Sequence, residues 1–121
     1  MKLVSFRAAA RLARTAGATA LLFLTFMSAA NAQSAIAGVV RDASGAVLPG
    51  VSVEAASPAL IEGARAVVTD AAGGYRIENL RPGEYVVTFS LTGFRTVRRE
   101  GIVLPTSFTA QLNTELSLGQ S

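Results

Sequence analysis

The side chains best suited to acid–base chemistry in this 121-residue chain are eight carboxylates, Asp42, Glu54, Glu62, Asp70, Glu78, Glu84, Glu100 and Glu115, with no histidine and no cysteine beside them. The usual nucleophile–base pairs and the common zinc, copper and haem ligand sets therefore have no members here. Two carboxylates can still act as general acid and base, but only where burial or a like charge drives one pKa upward. These acids fall in turns or on the polar alternates of short alternating runs, where solvent keeps them ordinary. No phosphate loop or dinucleotide fingerprint occurs. The chain is read as not an enzyme, with no catalytic, cofactor-binding or metal-binding residues and no cofactor.

Two further groups invite a chemical reading. The run Val39-Val40-Arg41-Asp42-Ala43-Ser44-Gly45 is echoed by Val67-Val68-Thr69-Asp70-Ala71-Ala72-Gly73. If each connection reverses direction, Asp42 and Asp70 come to one end of the fold. Two aspartates fall far short of the six to eight oxygens that Ca²⁺ takes, so each is read as accepting backbone N–H bonds in its own turn. Arg95, Arg98 and Arg99 offer guanidinium groups for carboxylate or phosphate, yet Glu100 is adjacent. They are read as a solvated or edge-protecting strand face, and nucleic acid is not an expected partner.

The charge balance agrees once the N-terminus is set apart. Lys2, Arg7, Arg11 and Arg14 precede an apolar run from Ala16 to Met27, and Ala30-Asn31-Ala32 is a small-x-small cleavage pattern. Residues 1–32 are read as a secretory signal peptide and 33–121 as one domain. The latter holds seven arginines against eight acids, so the whole-chain charge of +3 belongs to the leader. The apolar run is shorter than the ~20 residues a membrane span needs, and no stable membrane insertion is expected after cleavage. The expected location is periplasmic, outer-membrane-associated or extracellular.

The elements that position these groups are strands. Apolar and polar residues alternate through Tyr75-Arg76-Ile77-Glu78 and again through Tyr85, Val87, Phe89 and Leu91, which reads as a hairpin about Pro82-Gly83. Val51, Val53 and Ala55 form another inward row, and Phe108, Ala110, Leu112, Leu116 and Leu118 a third, interrupted by Thr114. Strands are expected near 35–41, 51–57, 64–69, 75–80, 85–91, 95–99 and 108–118. Asp42 to Gly45 and Asp70 to Gly73 fit type I turns; Pro49-Gly50 and Pro82-Gly83 fit type II. The fold class is all-β, a single seven-stranded Greek-key-like β-sandwich.

One end of that sandwich would gather 58–63, 81–84 and 100–106. Ile102, Val103 and Leu104 make an aliphatic triplet where a connection is ordinarily polar, and they are candidates for a contact surface together with Phe94 and Arg95.

The turn signals in order also carry a resemblance: Gly38-x-Val40-x-Asp42-x-x-Gly45, Leu48-Pro49-Gly50-Val51-x-Val53, Thr69-Asp70, Gly74-Tyr75, Leu80-x-Pro82-Gly83-x-Tyr85-x-Val87-x-Phe89 and Gly93-Phe94. Together they resemble the carboxypeptidase regulatory-like domain, a transthyretin-like (prealbumin-like) β-sandwich. With Arg99-Glu100-Gly101-Ile102-Val103-Leu104 the chain is similar above all to the N-terminal domain of bacterial TonB-dependent outer-membrane receptors. The resemblance implies an exported noncatalytic module for protein interaction or structural support in the cell envelope, with another envelope protein as partner. Two alternatives stand beside it: a carbohydrate-binding module, for which Phe94 is the one aromatic platform in a chain without tryptophan, and a truncated N-terminal domain of such a receptor.

Overall fold

The computed structural model describes residues 33–119; the expected leader, 1–32, lies outside the described residues. Eight strands follow one another: β1 (Ser34–Asp42), β2 (Ser52–Ala56), β3 (Ala64–Val68), β4 (Gly74–Leu80), β5 (Gly83–Ser90), β6 (Val97–Leu104), β7 (Thr109–Gln111) and β8 (Thr114–Leu116). Among the described residues there is no helix. Two sheets form, one with β1 between β4 and the β7/β8 pair, the other in the order β3-β2-β5-β6. Their inner faces supply the interior: Ile36, Val40, Ile77 and Leu116 from the first, and Val53, Ala55, Tyr85, Val87 and Phe89 from the second, all essentially buried. Tyr75 and Phe89 meet edge to face across the layer, ring centres 5.7 Å apart, the geometry that aromatic quadrupoles favour. Period-two alternation places Arg76 and Glu78 in solvent while Tyr75 and Ile77 pack inside.

The two-sheet architecture agrees with the sequence, but the pairing differs in three places. The expected hairpin is absent: β4 pairs with β1 and β5 with β2 and β6, so Arg81-Pro82 carries the chain from one sheet to the other. Gly83 is nearly extended, with φ at 159°, so the connection is not a type II turn; the left-handed residue is Asn79, at φ 58°. The sixth strand runs eight residues rather than five. A β-bulge at Glu100–Gly101, with Gly101 at φ 71°, lets it pass the charged run and continue through Leu104.

The expected seventh strand is two, which makes eight. Both pieces run parallel to β1 in one register, Ala35, Ile36 and Ala37 facing Thr109, Ala110 and Gln111, then Val40, Arg41 and Asp42 facing Thr114, Glu115 and Leu116. Between them side-chain bonds join the backbone bond from the Leu112 N–H to the Ala37 carbonyl at 2.8 Å. The Asn113 Oδ1 accepts the Val39 N–H at 2.9 Å, and the Tyr75 hydroxyl donates to the Leu112 carbonyl at 2.5 Å. Phe108 and Leu118 flank these pieces rather than sitting within them, and both are exposed instead of inward.

Candidate functional site

Five of the eight carboxylates are engaged in turns or ion pairs. Asp42 Oδ1 accepts from the Ser44 N–H and hydroxyl and from the Ala46 N–H, and Asp70 Oδ1 from the N–H groups of Ala72 and Gly74. Each aspartate thus closes its own turn, with Gly45 and Gly73 in the left-handed region at the end. The Ser44 hydroxyl holds the Asp42 carboxyl below its ordinary pKa. Glu62 pairs with Arg65 at 3.1 Å, which lowers its pKa likewise; Glu78 pairs with Arg76 at 2.6 Å and Glu100 with Arg98 at 3.1 Å. For Asp42 and Glu62 the shift runs away from the neutral form that a general acid requires.

The hydroxyls of Tyr75, Tyr85 and Thr69 are committed in the same way. Burial raises the pKa of Tyr75 and of Tyr85, and each donates to a carbonyl, Tyr75 to Leu112 and Tyr85 to Arg81 at 2.7 Å. Thr69 Oγ1 donates to the Leu48 carbonyl at 2.6 Å and accepts the Val51 N–H at 2.9 Å. Those are the two groups that a Leu48-Pro49-Gly50-Val51 turn would otherwise join. Among the described residues no group of three or more His, Cys, Asp or Glu side chains is placed to hold a metal ion.

The residues singled out for contact do not form one surface. Ile102, Val103 and Leu104 lie in β6 opposite Tyr85, Glu84 and Gly83, whereas Phe94 and Arg95 lie in the β5–β6 connection beyond Ser90. The length of β5 keeps the two groups roughly 20 Å apart. Leu104 is core, 1% exposed, and Ile102 is half-buried beside it. Only Val103, 66% exposed, presents its side chain outward. Alternation explains the division, because residues 102 and 104 share the inward face and 103 takes the other. Phe94 packs partly against the core and bridges to Leu118, while the Arg95 N–H bonds the Ser117 carbonyl.

Two open cavities accompany these ends. One, of about 460 Å³, lies beside Phe94 and is lined by the hydroxyl residues Ser52, Ser90, Thr92 and Thr96. The other, of about 230 Å³, is lined by Gln33, Leu60, Ile61, Glu62, Arg65, Asn79 and Arg81. Ile61 and Arg81 did not stand out in the sequence. The signal available was an aliphatic residue between Pro58 and Gly63, in a loop where polar residues are usual.

Over residues 35–117 the chain matches the carboxypeptidase regulatory-like domain family. It is 42% identical over 108 residues to the TonB-dependent transporter Oar of Myxococcus xanthus, which covers 88% of this chain and 10% of that protein. The chain thus spans about a tenth of the length of this curated relative. Among solved structures it is similar to the Bacillus anthracis TIE protein, with a TM-score of 0.56 and 19% identity over 72% of this chain and 17% of that one. It is also similar to 3-chlorocatechol 1,2-dioxygenase from Rhodococcus opacus, with a TM-score of 0.57 and 13% identity over 74% and 61% of the two chains. At these identities the likeness is one of fold.

Proposed function

Because the chain belongs to the carboxypeptidase regulatory-like domain family, we propose that it works as an exported, noncatalytic interaction module of the cell envelope, engaging another envelope protein along the β6 edge. The observation that carries this reading is the character of that edge. Edge strands are usually blunted by charges, bulges or proline. Before Gly101 the edge has all of this protection it needs in Arg98, Arg99, Glu100 and the bulge. Between Gly101 and Pro105 it has none: Ile102, Val103 and Leu104 are uncharged, and Val103 stands in solvent. Such a segment offers backbone N–H and C=O groups for strand addition, with one aliphatic side chain to seat in a partner.

Likeness to part of a TonB-dependent transporter supports a place in the envelope, and transport itself is no part of the proposal. The commitment of five of the carboxylates, and of the Tyr75, Tyr85 and Thr69 hydroxyls, to turns, ion pairs and backbone carbonyls supports a noncatalytic role. The test is Val103→Lys in the full chain, produced in its native cells and recovered with its bound proteins. Loss of a co-purifying envelope protein with an unchanged melting temperature is the expected result; an unaltered set of partners overturns the proposal. A second reading, carbohydrate binding, draws on the hydroxyl-lined cavity beside Phe94. Glycan capture that survives Val103→Lys and is lost in Phe94→Ala would favour it.

A further inference from the structure

We propose that the cavity between the β2–β3 loop and the β4–β5 connection binds a carboxylate carried on an aliphatic group, the chemistry of a free aliphatic acid or of a peptide ending in an aliphatic residue. The site does not depend on the β6 reading. Its charge comes from two guanidinium groups facing one carboxylate. Arg65 is already engaged at three of its five N–H donors: Nη1 donates to the carbonyls of Glu78 and Asn79 at 2.8 and 3.0 Å, and Nη2 to Glu62 at 3.1 Å. Asn79, in the left-handed region, is the residue through which β4 bends at this point. Arg81 lies near enough to Glu62 to help lower its pKa, yet its guanidinium forms no ion pair among the described residues. Among the described lining side chains the cavity therefore carries one positive charge in excess, on Arg81.

The frame around that charge is fixed before any ligand arrives. The buried Tyr85 hydroxyl holds the Arg81 carbonyl at 2.7 Å. Across the cavity the β2–β3 loop is closed by four hydrogen bonds, Ser57 N–H to Gly63, Leu60 N–H to Ser57, Gly63 N–H to Leu60, and Ala59 N–H to the Ser57 hydroxyl. Leu60 anchors the loop in the core at 5% exposure, and the next residue, Ile61, is 90% exposed. An aliphatic side chain held in water by a braced loop, beside an uncommitted guanidinium, matches a ligand that is apolar at one end and anionic at the other. The anion is a carboxylate rather than a phosphate because the excess charge is single, and a dianion would also face Glu62.

The experiment is a titration of the ¹⁵N-labelled full chain with N-acetyl-leucine, its amide, the acid peptide N-acetyl-Ala-Ala-Leu, and inorganic phosphate, followed by NMR. The expected result is saturable shifts confined to Leu60, Ile61 and Arg81 with the acids, and none with the amide. Tighter binding of the peptide assigns a chain terminus, and equal binding a free acid. Arg81→Gln should weaken the acids on the order of tenfold or more, and Ile61→Ser should weaken N-acetyl-leucine more than acetate. Among the described residues the Arg81 side chain makes no hydrogen bond, so an unchanged melt shows that the variant is intact. Equal shifts with acid and amide, stronger binding of phosphate, or unaltered binding by Arg81→Gln overturns the proposal.

Discussion

At the scale of single residues, two buried threonines do opposite things. Thr69 and Thr114 are each 5% exposed. Thr69 Oγ1 stands between the Leu48 carbonyl and the Val51 N–H and satisfies both. Thr114 Oγ1 has no hydrogen-bond partner. The same substitution should therefore change sign between them. Thr69→Val leaves two backbone groups without their partner and should cost about 1–3 kcal/mol, while Thr114→Val removes an unsatisfied hydroxyl and should be neutral or stabilising. Chemical denaturation of the two variants checks this, and equal destabilisation would contradict it. The sequence marked Thr114 as the break in an apolar row, and that position was legible. The role of Thr69 was not, because it depends on a turn that is distant in sequence and adjacent only after folding.

At the scale of elements, the division of the last strand follows from a glycine. A Cβ at Gly38 would stand 2.1 Å from the Leu112 carbonyl oxygen, so the approach of 112–113 to β1 requires the bare backbone. Gly38→Ala should push the segment off β1 and cost about 1–3 kcal/mol. The loss should be local first: hydrogen exchange should quicken at the amides of Leu112 and Val39, bonded to the Ala37 carbonyl and the Asn113 side chain. A variant with native protection at both amides would contradict this account of the break. Alternation from 108 to 118 indicated a strand, and strand it largely is. What alternation lacks is any mark of where a ladder passes from backbone to side-chain partners.

At the scale of the whole molecule, period two told which residues face inward, Phe108 and Leu118 excepted, but not which strand lies beside which. Tyr75, Ile77, Tyr85, Val87 and Phe89 are buried as their pattern required. The same pattern fits a hairpin within one sheet or a crossing between two, and here the chain crosses. The aspartate turns were legible because Asx acceptors act within a few residues. Which of residues 102–104 stands in solvent was legible only in part, since one alternation step separates exposed Val103 from buried Leu104. The central claim is that the β6 edge beyond the bulge meets an envelope partner. The most direct measurement is photo-crosslinking in living cells with the reactive residue placed at 103, and at 54 and 88 on the outward face of the same sheet. A discrete adduct with an envelope protein is expected from position 103 and none from 54 or 88; no adduct at 103, or equal adducts from all three, would overturn the β6-edge proposal.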